Sequence, residues 1–175
     1  DMARQGAQID SYGVGERLIT ASSEAVFGGV YKLSAVEEKG EIIPKIKISE
    51  NTAKITLPGA KIPWRLYDRD TGKAIADVIT LHYEKIDSSE PYEIFDSVHT
   101  WKRKTVSNFV AKKLQVKLFE KGKLVYENPS VKEISNYRAE QVDSLWDEVK
   151  RFENPHTYYV DLSEDLWNLR NDLLN

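Results

Sequence analysis

The stretch Ile62–His82, IPWRLYDRDTGKAIADVITLH, holds two apolar runs around one polar interruption. By spacing alone, Ala74–Leu81 (AIADVITL) reads as a helix as readily as a strand. The interruption decides between them. Asp68-Arg69-Asp70-Thr71-Gly72 is turn chemistry: aspartates that accept hydrogen bonds from backbone amides just ahead of them, then a glycine. A turn this short joins antiparallel strands, so Ile62–Tyr67 and Lys73–His82 are expected to form a hairpin. Within it Asp68 and Asp70 serve the turn. Asp77 reads as a solvent-facing strand residue rather than half of a catalytic carboxylate pair.

The same signals recur on either side. Upstream, Val30–Val36 and Ile42–Ile48 alternate about a turn at Lys39-Gly40, with Pro44 suited to an edge or to a strand's start. Lys54–Leu57 precedes a turn at Pro58-Gly59. Downstream, Ser88–Glu93 is a polar loop containing Pro91, and Glu93–Phe95 and Leu114–Glu120 read as strands. Lys121-Gly122-Lys123 then turns the chain into Leu124–Tyr126. Short strands at this spacing predict an antiparallel sheet or small barrel. Beyond them the period changes: Ile134, Tyr137, Val142, Leu145, Trp146 and Val149 place a helix over Val131–Arg151. Ser163 caps a second helix carrying Leu166, Trp167, Leu169 and Leu173, and Asn154–Leu162 (NPHTYYVDL) connects the two.

The first residues differ in character. Asp1–Gln8 reads as the end of a helix stopped at Gly6, Ile9–Tyr12 as one buried strand, and Gly13-Val14-Gly15 as the turn that follows it. Together they form the tail of an α/β unit, whose single strand needs neighbours on both faces. With Asp1 in place of a methionine, a fragment, a processed product or a trimmed chain is expected.

Composition narrows the function. Of 175 residues 41% are apolar, enough for an ordinary core, and a net charge of −3 gives no general attraction to nucleic-acid phosphates. No run approaches the roughly 18 to 20 apolar residues that cross a bilayer, and no basic start and apolar centre mark a signal peptide. A cytoplasmic protein with no nucleic-acid or membrane partner is expected. The chain has no cysteine, hence no disulfide and no thiolate metal site, and His82, His99 and His156 are spaced too widely for a local zinc motif. No metal site is expected. His99 and Trp101 beside Lys102-Arg103-Lys104 imitate a nucleic-acid groove, but without interleaved aromatics the run reads as the basic edge of a small sheet. Trp146 and Trp167 fall on helical packing faces.

Gly13-Val14-Gly15 is the chemically suggestive feature. Glycines let backbone amides close on an anion, and successive amides at a turn or helix start converge on a phosphate, with Arg17 in place to reinforce them. The same two glycines equally suit a plain strand end. They make neither a full dinucleotide fingerprint nor a Walker loop.

QGAQIDSYGVGERLIT (Gln5–Thr20), FGGVYKL (Phe27–Leu33), PKIKIS (Pro44–Ser49), RLYDRDTGKAIAD (Arg65–Asp77) and NPHTYYVDLSEDLW (Asn154–Trp167) together resemble, in order, the carboxyl-terminal part of bacterial nicotinate phosphoribosyltransferases. The resemblance extends over essentially the whole chain. It implies a multistranded α/β barrel with an added, mostly antiparallel β domain: residues 1–27 closing the barrel, 28–128 in the β-rich domain and 129–175 in a helical C-terminal segment. It also implies an enzyme that joins nicotinate to phosphoribosyl pyrophosphate, giving nicotinate mononucleotide and pyrophosphate for NAD salvage, with ATP hydrolysis and Mg2+ in the full-length protein. Carried over residue by residue, Gly13, Val14 and Gly15, with Arg17, form the loop that receives the 5-phosphate. No catalytic residue of the family matches a position in this chain. Such residues belong to an upstream barrel portion, and the family's homodimers carry active sites near the subunit boundary. Alone, the 175 residues are expected to be inactive. Glu16 stands where many members have threonine, and the cysteine-rich knuckle of some relatives is missing. Related quinolinate or nicotinamide phosphoribosyltransferases, and a non-catalytic β-rich binding module, are the alternatives.

Overall fold

The structure is a computed structural model that describes residues 5–26, 28–51 and 54–175. Half of the expected helix end at Asp1–Gln8, residues 1–4, and the first residue of the FGGVYKL motif, Phe27, lie outside the described residues. Contacts divide the chain into two compact units, Asp1–Lys32 and Leu33–Asn175.

Among the described residues of the first unit the regular element is a single helical turn, α1 (Glu16–Ile19), whose N-cap is Gly15. Two expectations are corrected here. Ile9–Tyr12 forms no strand and is exposed, because no neighbouring strand within the described residues offers it a ladder. Gly13-Val14-Gly15 is not a sharp turn either: Gly15 is extended, at φ −102°, as an N-cap residue must be to lead into a helix.

The second unit is built on the expected hairpin. Its strands β3 (Lys61–Asp68) and β4 (Ala74–Leu81) pair antiparallel. Between them the Asp68 carboxylate accepts from the amides of Asp70 and Thr71 and from the Thr71 hydroxyl, at 3.1, 2.7 and 2.8 Å. These bonds hold the Asp68 carboxyl below its ordinary pKa. β7 (Phe109–Lys113) pairs with the other edge of β3, and β10 (Val160–Leu162) lies parallel to β4, giving the order β10-β4-β3-β7. β4 is therefore an inner strand buried on both faces, which is why its sequence lacks alternation.

Alternate residues of β4 serve two cores. Ala76 and Val78 join Trp64, Leu66, Ile94, Val106 and Phe109, while Leu81 joins Leu162 and Leu166. The first core is covered by a separate hairpin, β5 (Tyr92–Phe95) and β6 (Arg103–Val106). The second is covered by α3 (Glu164–Asp172), whose N-cap Ser163 accepts from the amide of Leu166 and donates to Glu84, a carboxylate that also accepts from the amide of Leu81.

Two further ribbons complete the unit. β1 (Ala35–Glu38) and β2 (Glu41–Pro44) turn at Lys39-Gly40, and β8 (Phe119–Glu120) and β9 (Lys123–Leu124) at Lys121-Gly122. Both turns have positive φ at both central residues, the twist that tight hairpins prefer and that glycine tolerates best. The strands fall shorter than expected: Val30–Ser34 and Lys45–Ile48 are outside the first ribbon, Ile55–Leu57 is not a strand, and Leu114–Leu118 precedes β8 without joining it. β7 and β10 carry no strand signal in the sequence reading, β6 only that of the basic run at its start, and β10 replaces part of the expected connector. α2 (Val131–Asp143) begins with the reciprocal bonds of a capping box at Ser130 and Glu133, and it ends well before Arg151. Trp146 therefore lies beyond the helix, not on its packing face.

Candidate functional site

The residues singled out for phosphate lie together. Gly13, Val14, Gly15 and Arg17 line one open concavity of about 570 Å3 with Tyr12, Glu16 and Leu18. The Gly15 carbonyl accepts from the amides of Leu18 and Ile19 at 3.2 and 3.5 Å, which places the loop at the amino end of α1. The first amides of a helical turn have no acceptor behind them in the helix. Neither glycine has positive φ, and a Cβ built at either position meets nothing within 4 Å. Neither backbone strain nor crowding inside the chain therefore calls for glycine here; open space above the backbone is what the two positions share.

The second unit holds a polar constellation that the sequence reading missed. Arg65 and Asp77 are directly opposite each other on β3 and β4. Arg65 Nε and Nη2 donate to the two Asp77 oxygens at 2.8 and 2.9 Å, and the Tyr158 hydroxyl donates to Asp77 Oδ1 at 2.8 Å. Arg65 Nη1 also donates to Gln141 of α2 at 3.3 Å, and the guanidinium lies 5.7 Å from the centre of the Tyr158 ring. Asp77 is thus buried rather than solvent-facing, because the strand beside it is an inner one and the ion pair satisfies its charge. Hydrogen bonding to Asp77 raises the Arg65 pKa further above its ordinary value, and burial followed by the Asp77 bond raises that of Tyr158. The signal available in sequence was the hairpin itself, which brings RLY and AIAD face to face. With every strong partner already engaged, the constellation ties α2 and the segment before β10 to the sheet.

The other candidates take structural places. His82 packs edge-on to Tyr83, and His99 lies 3.3 Å from Asp96 and edge-on to the exposed Trp101. His156 lines a cleft of about 730 Å3 together with Trp146, Lys104 and Glu148, a rim of mixed charge. Among the described residues no group of three His, Cys, Asp or Glu side chains converges. In the basic run, Arg103 pairs with Glu93 and lies over the Phe95 ring, so the run is the edge of the β5–β6 hairpin. Trp167 donates to the Ser97 carbonyl at 3.1 Å and packs edge-on to Phe95.

Asp161 on β10 is buried beside a pocket of about 250 Å3 that it lines with Asp96, Lys102, Arg103 and Lys104. Burial first, and the Asp96 charge second, push its pKa from 3.8 up to about 6. Between about pH 4 and pH 6 the folded chain thus keeps a proton that the unfolded chain has released. This contribution to stability is complete below the ordinary carboxylate pKa of about 4 and is lost as pH rises through about 6. Asp161→Asn is expected to gain about 1 to 2 kcal/mol over the natural sequence at neutral pH and little at pH 4, read from urea midpoints.

Comparison with known proteins agrees with this architecture. The family model for the nicotinate phosphoribosyltransferase C-terminal domain matches residues 60–170, from the β3–β4 hairpin through most of α3. A nicotinate phosphoribosyltransferase of Bacillus subtilis (strain 168) is 42% identical over 167 residues, covering 95% of this chain and 34% of that protein. The Homo sapiens protein of the same name is 28% identical over 177 residues, covering 98% and 31%. A crystal structure of human nicotinic acid phosphoribosyltransferase matches with a TM-score of 0.62 and 27% identity, over 69% of this chain and 24% of that one. The chain spans about a third of the length of the curated relatives it matches. With the family model extending over well over half of its residues, the chain belongs to the nicotinate phosphoribosyltransferase C-terminal domain family.

Proposed function

We propose that the chain acts as the carboxyl-terminal part of a cytoplasmic, homodimeric nicotinate phosphoribosyltransferase. The whole enzyme joins nicotinate to phosphoribosyl pyrophosphate, releasing pyrophosphate and nicotinate mononucleotide with ATP hydrolysis. The observation that carries this reading is the family match at residues 60–170, supported by 42% identity to the Bacillus subtilis protein over 95% of the chain. In this reading residues 1–27 close an α/β barrel supplied by the upstream portion, residues 28–128 form the β-rich domain and residues 129–175 the helical segment.

The role of this chain in the reaction is to hold, not to transfer. Amides of Gly13, Val14 and Gly15 donate to the 5-phosphate, and Arg17 adds a positive charge from the first turn of α1. Anchoring the phosphate fixes the ribose, so that its anomeric carbon meets the pyridine nitrogen as pyrophosphate departs. Glu16 sits at the helix start, where the dipole favours a carboxylate. ATP and Mg2+ belong to the whole enzyme. Among the described residues no convergent carboxylate or histidine set fits the metal.

The test is turnover by the full-length protein with nicotinate, phosphoribosyl pyrophosphate and ATP, read as nicotinate mononucleotide by chromatography. Product from quinolinate or nicotinamide instead would overturn the substrate assignment. Gly15→Asp fits the open space at its position and so is expected to fold. Its carboxylate, facing the phosphate, is expected to raise the KM for phosphoribosyl pyrophosphate at least about tenfold. An unchanged KM would remove the loop from the site.

A further inference from the structure

We propose that the β8–β9 ribbon is an arm that docks into the part of its own polypeptide lying outside this chain. This rests on the reading of the chain as one portion of a longer enzyme. Phe119 and Leu124 are directly opposed in the ribbon, so their side chains share one face. The next pair outward, Leu118 and Val125, is joined by a 2.9 Å bond from the Val125 amide to the Leu118 carbonyl and occupies the opposite face. All four are exposed, at 65%, 61%, 48% and 50%, and every residue from Gln115 to Val125 lies open.

A two-stranded ribbon with nothing against it is barely stable in water, and one with apolar residues on both faces needs cover on both. Two possible covers differ in what they require. The four side chains alone expose far less than the about 800 Å2 per partner of a stable association, so a second copy would cover the ribbon only as the margin of a larger interface. The remainder of the same polypeptide carries no such requirement, because its effective concentration is set by the covalent link. About two-thirds of each relative's length lies outside the matched region, enough to supply a groove. The charged tip fits an arm that enters such a groove from its side: Lys117 pairs with Glu120 at 2.8 Å, and Glu120 faces Lys123 across the ladder.

The test is hydrogen–deuterium exchange on the full-length protein, with turnover assayed on the same preparation. Amides from Leu118 to Val125 are expected to exchange about a hundredfold or more below free-chain rates, equally at high and low protein concentration. Phe119→Lys with Leu124→Lys is expected to return them to free-chain rates while the β3 and β4 amides stay protected. Free-chain exchange in the natural sequence would overturn the proposal, as would protection that vanishes on dilution, which would identify a second copy as the cover. A protected ribbon in a preparation without turnover supports the docking and counts against the enzymatic reading alone.

Discussion

Asp77→Ala is expected to destabilise the protein by about 3 kcal/mol, while replacing Arg65 and Asp77 together by leucine is expected to cost markedly less. The asymmetry is physical. Both side chains are largely withdrawn from water, at 19% and 12% exposure, and each oxygen of Asp77 is engaged by Arg65. Removing the carboxylate leaves a guanidinium with its remaining bond to Gln141 and no opposite charge, and it leaves the Tyr158 hydroxyl without its acceptor. Removing both charges dissolves the electrostatic problem together with the attraction. Tyr158→Phe deletes one hydrogen bond and should lose about 1 kcal/mol. Equilibrium urea denaturation of the three variants separates these cases. A double variant as unstable as Asp77→Ala would mean that shape, not unpaired charge, sets the loss.

Phe109→Ala is expected to be at least as damaging, at about 3 to 5 kcal/mol. Phe109 opens β7 and is completely buried, packed with Trp64, Leu66, Val78, Ile94 and Val106, residues drawn from four different strands. No single neighbour can relax into the space, because each is fixed by its own ladder, so the cavity remains open. A domain stabilised by about 5 to 15 kcal/mol would lose a large share of its margin. Thermal unfolding followed by near-ultraviolet circular dichroism reads the loss through the buried Trp64. Trp101→Ala is the control: Trp101 is 75% exposed, and its removal should change stability by less than about 0.5 kcal/mol. Equal losses from the two variants would contradict the placement of the core.

The parts of this fold that were legible in sequence are those decided by neighbours in the chain. DRDTG announced its turn because Asp68 bonds amides two and three residues ahead, and Ser163 announced α3 because its hydroxyl bonds the amide of Leu166. Where a distant partner decides, the reading failed. The helical pattern ran on to Arg151, but α2 stops at Asp143 because the carbonyls at its end are taken by Lys73 Nζ and by the amide of Ala74. β10 is a strand only because its three residues meet β4 some eighty positions earlier. The Arg65–Asp77 pairing was half legible: the hairpin brings the two segments together, but an irregularity between Leu66 and Tyr67 sets the register, and no residue type marks it. At the candidate site, glycine spacing suggested a turn, whereas the loop is an extended entry into α1 whose form depends on the helix that follows.

The parallel placement of β10 also fixes an order of events during synthesis. Until Val160–Leu162 has left the ribosome, β4 presents one bare edge, and Leu81 lacks the Leu162 and Leu166 side chains that enclose it. A nascent chain that has emerged only as far as Glu153 can close the β3–β4 hairpin early, yet it must wait for β10 and α3 before the sheet is safe from pairing with a stranger.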